Sequence, residues 1–238
     1  MNWRAIPVAL LLVAGAAACG DDDGGEEGGL SDLTTTSVEE TEETTTTTEA
    51  DEEETTTTTE ASDTEAPDGW TTVEQSEFTI ALPPTWQEAS DLIDDPEFGA
   101  QMQEIIGSEA QLEQMLAQLD LMAVDTESVA SGFATNLNVI VNPASPADTI
   151  ETLEQQVAPA LSSSMGAEVT TTEAIELGGQ EALRVEYDYP QPDGTLLKGL
   201  QFYVLGETLS GVITFTSSED LVDLDAWTEV AETFTLAG

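Results

Sequence analysis

The side chains of this 238-residue chain that could take part in chemistry are almost all carboxylates, because it has 49 acidic residues, three basic residues and no histidine. Glu186 and Asp188 alternate along one strand-like run, and Asp220, Asp223 and Asp225 cluster before a helix-like segment. Paired carboxylates can hydrolyse glycosides, but no aromatic platform for a sugar has a defined place beside them. A solvated strand face and helix N-terminal capping explain the two groups better.

Nucleophilic catalysis has no better support in the sequence. The run Ser162-Ser163-Ser164 lacks a base partner, since histidine, the usual general base, is absent. The same absence, together with a single cysteine, removes the usual zinc sites and any disulfide within the chain. We therefore expect no enzyme activity, no cofactor and no metal site.

The single cysteine, Cys19, ends an N-terminal segment with the features of a secretory signal. Arg4 supplies a positive charge, and the apolar run from Ile6 to Ala18 is about 13 residues long, too short to span a bilayer core of about 30 Å. The residues Ala16-Ala17-Ala18-Cys19-Gly20 resemble the lipobox of bacterial lipoproteins, although alanine takes the place of the usual leucine at the first of them. The alternative is an ordinary cleaved signal followed by an unpaired cysteine.

The lipobox resemblance has consequences for location. It implies that Cys19 receives a diacylglyceryl thioether, becomes the new N-terminus and is then acylated. Two or more acyl chains anchor a protein stably, whereas one does not. The expected location is therefore the outer face of the cytoplasmic membrane or the cell surface.

A low-complexity segment, residues 20–66, follows the predicted signal of residues 1–19. Acidic clusters alternate in it with the threonine runs Thr44–Thr48 and Thr55–Thr59, and apolar residues are almost absent. Such a segment cannot offset the entropy lost on ordering, so its composition predicts a disordered tether. In the flexible-coil regime its r.m.s. span is roughly 35–40 Å. Whether the threonines carry O-linked sugars remains open.

The folded domain is predicted over residues 67–238, where apolar residues recur with regular spacing. Three strand-like runs dominate it: Glu181–Tyr189, Leu196–Leu205 and Leu209–Ser217. Apolar and charged residues alternate along the first, and the second places Leu200, Phe202 and Val204 on one face and Gln201, Tyr203 and Leu205 on the other. The third is β-branched and aromatic, and turn residues link all three, so they predict an antiparallel meander. Shorter runs predict further strands at Trp70–Val73, Phe78–Leu82, Met122–Val124, Asn136–Asn142 and Val169–Leu177.

Helical spacing of apolar residues predicts three helical regions, and with the strands it predicts an α+β fold. The first covers Glu97–Leu119 with a break at Gly107-Ser108. The second starts at Pro146 and ends at Met165-Gly166, and the third begins near Leu221. The expected buried face of the third comprises Leu224, Trp227, Val230, Ala231 and Phe234.

Two motifs of the predicted domain resemble those of PsbP-like domains. After Gly69-Trp70, the segment Phe78–Trp86 looks like their opening F-x-I-x-x-P-x-x-W, and Leu177–Tyr187 resembles their GG-x-x-A entry into a long hairpin. The lipobox, linker and domain together are similar to the actinobacterial LpqN-type lipoproteins. The resemblance implies an α/β/α sandwich, an antiparallel sheet with helices packed on both faces. The group includes the extrinsic subunit of photosystem II and a Ran-binding import factor, so it also implies protein or ligand binding without catalysis.

Two functions of different classes remain open. One is a surface-tethered module that binds an envelope protein or a small apolar ligand. The other is a structural or solvating envelope protein whose acidic coat suits high salt. A net charge of −46 repels nucleic acid and anionic lipid, so neither is an expected partner. The oligomeric state is not predicted.

A candidate surface for the binding module can be named from rare residue types. Arg184 and Lys198 are the only bases after Arg4, and Trp70 and Trp86 accompany the opening motif. The alternative for the bases is that they neutralise neighbouring carboxylates such as Glu186 and Asp188. The alternative for the tryptophans is that they are core residues.

Overall fold

The computed structural model describes residues 66–93, 114, 116–129, 131, 133–191 and 194–237. The predicted signal, Cys19 and residues 20–65 of the predicted tether lie outside the described residues. The predicted helix break at Gly107-Ser108 and most of the first predicted helix also lie outside them.

The described residues form two antiparallel sheets. The small sheet has the strand order β1-β2-β10, with β1 Thr71–Glu74, β2 Phe78–Leu82 and β10 Thr235–Leu236. The large sheet has the order β3-β4-β5-β9-β8-β7-β6. Its strands are β3 Trp86–Glu88, β4 Leu121–Asp125, β5 Asn136–Pro143, β6 Glu168–Leu177, β7 Gln180–Pro190, β8 Leu196–Leu205 and β9 Leu209–Ser218.

The predicted meander is confirmed, because β7, β8 and β9 pair in sequence order with antiparallel registers. Gly178 and Gly179, both at positive φ, make the turn into β7 as expected. The sequence pointed to one sheet, whereas the structure has two. β3 and β10 were not predicted, because strands of three and two residues are too short to show a period.

Four α-helices have both ends within the described ranges: α1 Ala89–Ile93, α2 Thr126–Val129, α3 Ile150–Met165 and α4 Leu224–Glu232. The predicted start of α3 at Pro146 is wrong by one turn. Thr149 is its N-cap, with Oγ1 accepting from the Thr152 amide, while the Asp148 amide donates to the Ser145 carbonyl in a turn that holds Pro146. Gly166 ends α3 in the left-handed conformation, as expected.

The third predicted helix also begins later than expected. Glu219–Leu221 is a short 3₁₀ segment, and α4 starts at Leu224. Asp223 is the N-cap, with its carboxylate accepting from the Ala226 amide at 3.0 Å. The expectation that this acidic cluster caps the helix is therefore correct for Asp223.

Helices cover both faces of the large sheet. On one face Phe202, Ile213 and Phe215 pack against α4 and the small sheet in the main core. On the opposite face Leu183, Val185 and Tyr187 pack under α3, which contributes Val157 and Leu161. The fold is therefore the predicted α+β class, with antiparallel strands between helices.

Phe215 is the centre of the aromatic packing in the main core. Trp227 of α4 stacks on its ring with centroids 5.5 Å apart and planes 10° from parallel. Trp86 and Phe202 contact the same ring edge-on, at 6.2 Å and 6.4 Å. This packing joins α4 to β3, β8 and β9.

Replacing Trp227 should therefore be costly. We expect Trp227→Ala to lower the free energy of unfolding by about 3–5 kcal/mol, because the side chain is 3% exposed and its loss leaves a cavity beside Phe215. Urea titration measures the change. Glu229→Ala, an exposed change on the same helix, serves as the control. A loss below about 1 kcal/mol would contradict the assigned role of the stack.

Candidate functional site

One row of residues crosses the large sheet and joins a candidate tryptophan to a candidate base. Trp86 of β3 lies opposite Asp125 of β4, whose amide donates to the Thr135 carbonyl. The Thr135 hydroxyl is hydrogen-bonded to that of Ser217 in β9. Ser217 lies opposite Lys198 of β8, and Lys198 lies opposite Asp188 of β7. Residues opposite one another in antiparallel strands point to the same face. We call this set the Trp86–Lys198 row: Trp86, Asp125, Thr135, Ser217, Lys198 and Asp188.

The row lies at the margin of the main core. Trp86 contacts Phe215, which fixes the face, and Thr135 and Ser217 are buried with their hydroxyls 2.7 Å apart. Trp86, Lys198 and Asp188 are half-buried. The centre of the row is therefore inaccessible to solvent, whereas the residues at its two ends are partly exposed.

Both bases of the domain are paired with carboxylates. Arg184 Nη1 lies 2.5 Å from Glu186 Oε1, and Lys198 Nζ lies 2.6 Å from Asp188 Oδ1. The four side chains are 17–29% exposed, so the pairs are partly withdrawn from water. The charges lie beside the main core rather than on a freely solvated face, because β7 turns Arg184, Glu186 and Asp188 to the same side as Phe202 of β8. The arrangement favours charge neutralisation as the role of the bases.

The structure treats the three tryptophans of the predicted domain differently. Trp227 is a core residue, whereas Trp70 and Trp86 are half-buried against the edge of the main core. Trp86 belongs to the row described above. Trp70 precedes β1 in the small sheet, where its amide donates to the Pro67 carbonyl, and it is not part of the row.

The opposite face of the sheet carries a polar set that the sequence reasoning did not single out. Its members are polar residues of β5, β7, β8 and β9 that are at most 2% exposed. We call it the polar strip: Asn136, Asn138, Tyr187, Gln201, Thr214 and Thr216. The available signal was the expectation of helices on both faces of the sheet, which implies that polar residues on either face of its central strands are buried.

Two members of the polar strip, Gln201 and Thr214, belong to a hydrogen-bond chain that starts at Tyr203. The Tyr203 hydroxyl donates to Gln201 Oε1 at 2.9 Å, and Gln201 Nε2 donates to Thr214 Oγ1 at 3.0 Å. Burial raises the pKa of Tyr203 and, still further, that of Tyr187 far above the usual range. Both phenols are therefore neutral donors at physiological pH.

Three other members of the polar strip each carry a buried atom without a hydrogen-bond partner. Asn136 Nδ2 donates to the Ala134 carbonyl at 3.1 Å, but Asn136 Oδ1, Thr216 Oγ1 and the Tyr187 hydroxyl are buried without a hydrogen-bond partner. The Thr216 hydroxyl lies close enough to oppose part of the rise in the Tyr187 pKa, yet no hydrogen bond of acceptable geometry joins the two. Buried polar atoms are paired in the great majority of cases, so three together call for an explanation.

Two further properties were searched for in the described ranges. Within them, no group of three or more acidic, histidine or cysteine side chains is placed to hold a metal ion. Nor is any helix among them long and apolar enough to cross a membrane.

Comparison with known proteins finds solved structures that resemble this one but assigns the chain to no family. No family model matches the chain, and no curated protein matches it. The solution structure of PsbP (CyanoP) from the cyanobacterium Synechocystis is 15% identical, covers 71% of this chain and 93% of its own, and has a TM-score of 0.48. The crystal structure of LpqN, involved in cell envelope biogenesis of Mycobacterium tuberculosis, is 16% identical, with coverages of 71% and 91% and a TM-score of 0.46.

The ion pairs predict a modest contribution to stability. We expect Arg184→Gln and Lys198→Gln each to lower the free energy of unfolding by about 0.2–1 kcal/mol, because each leaves a partly buried carboxylate without its partner. The loss should shrink at high salt. Urea titrations at low and high salt measure it.

A double-mutant cycle provides the control for Lys198. Asp188→Asn should remove most of the penalty of Lys198→Gln, since no unpaired charge then remains. Strictly additive effects of the two substitutions would contradict the pairing.

Glu88 gives a prediction that depends on pH. Burial at the end of β3 raises the pKa of its carboxyl, and Asp91 in α1 raises it further. A carboxyl whose pKa is higher in the folded than in the unfolded state opposes folding above that folded pKa, and the penalty disappears below the unfolded value of about 4. We expect Glu88→Gln to raise the melting temperature at pH 7, with a gain that vanishes near pH 4.

The control for Glu88 must separate its burial from the overall negative charge. Glu127→Gln removes the same charge at an exposed position. Equal gains for the two variants at pH 7 would assign the effect to net charge alone and contradict a special role for Glu88.

Proposed function

We propose that this chain is a lipid-anchored, non-catalytic binding protein of the cell envelope. Its parts are a lipoprotein signal (1–19) with lipidation at Cys19, a disordered acidic tether (20–66), and a PsbP-like domain (67–238) of the LpqN-type lipoproteins. The lipobox resemblance supports the anchor, and the two sequence motifs support the domain assignment. The lack of histidine supports binding rather than catalysis.

The half-exposed side chain of Trp86 is the observation that carries the proposed binding role. Its ring is held edge-on against Phe215, so it presents apolar area with little freedom left to lose. Aromatic anchors of this kind dominate the energetics of protein interfaces. The half-buried charged residues Asp125, Lys198 and Asp188 supply polar groups at the two open ends of the row.

The partner surface is assigned to the margin of the main core, with Trp86 as its anchor. Arg184 and Lys198 keep the neighbouring carboxylates neutralised, and Trp70, before β1, is a second half-buried aromatic candidate. The partner is an envelope protein. A small apolar ligand is the competing occupant.

The test uses the full chain, tagged and recovered from cells of its source after chemical crosslinking. Trp86→Ala should remove a protein that the unmodified chain enriches reproducibly. Tyr189→Ala, which changes a half-buried aromatic residue on the opposite face, should leave that enrichment unchanged. If both variants capture the protein equally, the assigned surface is wrong. If no protein is enriched at all, the acidic-coat function becomes the better explanation.

The anchor is tested separately. Cys19→Ser should release the protein from the membrane fraction into the medium, because the acylated thioether is the proposed anchor. Fractionation followed by immunoblotting measures the distribution. A variant that stays with the membrane as firmly as the parent places the anchor elsewhere.

A further inference from the structure

The three unpartnered polar atoms of the polar strip lie in one line across the sheet. Asn136 of β5 is opposite Thr216 of β9, Thr216 is opposite Gly199 of β8, and Gly199 is opposite Tyr187 of β7. All four residues point to the face under α3, as the packing of Tyr187 against Val157 and Leu161 shows.

Gly199 explains how the tyrosine reaches the line. A Cβ at this glycine would lie 2.0 Å from Tyr187 Cζ and 2.5 Å from its hydroxyl oxygen. The phenol ring therefore lies directly above Gly199, and its hydroxyl extends across β8 toward Thr216. Any side chain at residue 199 would clash with the phenol, so the glycine is what permits this position of Tyr187.

The chemistry of the three atoms defines what would satisfy them. Asn136 Oδ1 can only accept a hydrogen bond, and the Asn136 amide nitrogen already donates one of its two hydrogens to the Ala134 carbonyl. The hydroxyls of Thr216 and Tyr187 each have a proton to donate and lone pairs to accept. No charged side chain belongs to the strip, and an ionised ligand would be costly to bury there. The fitting group is uncharged and both donates and accepts hydrogen bonds.

Apolar residues flank the strip on both sides. Beyond Asn136 and Asn138 lie Val124 and Met122 of β4, their direct strand partners. Beyond Thr216 and Gln201, past β8, lie Leu183 and Val185 of β7. A compound on the strip would thus meet hydrogen-bonding groups at its centre and apolar surface at its edges.

We propose that the polar strip is a binding site for a small uncharged compound whose hydroxyl or carboxamide group donates to Asn136 Oδ1 and accepts from Thr216 and Tyr187. The site is on the opposite face of the sheet from the Trp86–Lys198 row and does not depend on the proposed partner surface. Without its ligand the protein retains three buried, unsatisfied polar atoms, which lower its stability.

The first test measures the stability of the ligand-free full chain. Tyr187→Phe and Thr216→Val remove the unpartnered hydroxyls with little change of shape, so each should raise the melting temperature by about 2–4 °C. Thr214→Val is the matched control on the same strand and face. It should lower the melting temperature, because Thr214 accepts a hydrogen bond from Gln201.

The second test measures binding with defined probes. Glycerol and acetamide should shift the side-chain amide NMR signals of Asn136 in a saturable manner, while those of the exposed Asn142 stay unchanged. Tyr187→Phe and Thr216→Val should weaken probe binding at least five-fold. Acetate, which matches acetamide in size but is charged, should not bind.

Two outcomes would overturn the proposal. If Tyr187→Phe and Thr216→Val both lower the melting temperature of the ligand-free chain, the hydroxyls are already satisfied, by each other or by permanently bound water. If neither glycerol nor acetamide gives a saturable shift at Asn136, the strip does not accept an uncharged ligand of this class.

Discussion

Burial of both faces of strands β8 and β9 is the constraint on which the rest of the structure depends. Phe202 and Phe215 alternate with Gln201, Thr214 and Thr216, and all five are at most 2% exposed. In a sheet with one solvent-exposed face, such alternation places apolar residues in the core and polar residues in solvent. Here both faces are buried, so it divides the interior into an apolar region and a polar region. One is apolar and aromatic under α4, and the other is polar between two apolar clusters.

The two interiors make different demands on the sequence. The apolar interior requires only side chains that pack closely, and Trp86, Phe202 and Trp227 pack around Phe215 in this way. The polar one can be satisfied only by matched donors and acceptors. Gln201 meets that demand through Tyr203 and Thr214, whereas the line through Asn136 does not. This imbalance, rather than any resemblance to catalytic residues, marks the polar face.

Electrostatics shape the same sheet from its margin. A chain with so few bases places its last two, Arg184 and Lys198, beside carboxylates that are half withdrawn from water. An unpaired charge there would be costlier than on an open surface. The pairing keeps this part of the hairpin compatible with the main core and leaves the half-buried Trp86 as the apolar member of the row.

The sequence by itself determined the elements whose period is long enough to read. The strands β7 and β8 were predicted from their two-residue period, and β9 from its β-branched and aromatic residues. These strands and the caps at Gly166 and Asp223 follow from local sequence, and they agree with the structure. The start of α3 was wrong because proline favours a helix's first turn but is equally suited to the turn that Asp148 closes here.

Only the tertiary structure decided which residues meet. The pairing of β5 with β9, which sets Asn136 opposite Thr216, joins strands about 75 residues apart, and no local pattern encodes that register. The separate small sheet, the sharing of a row by Trp86 and Lys198, and the position of Tyr187 over Gly199 follow from the same long-range pairing. Composition fixed the kinds of side chain available, and strand order fixed which of them face one another, because cross-strand contacts depend on topology rather than on sequence spacing.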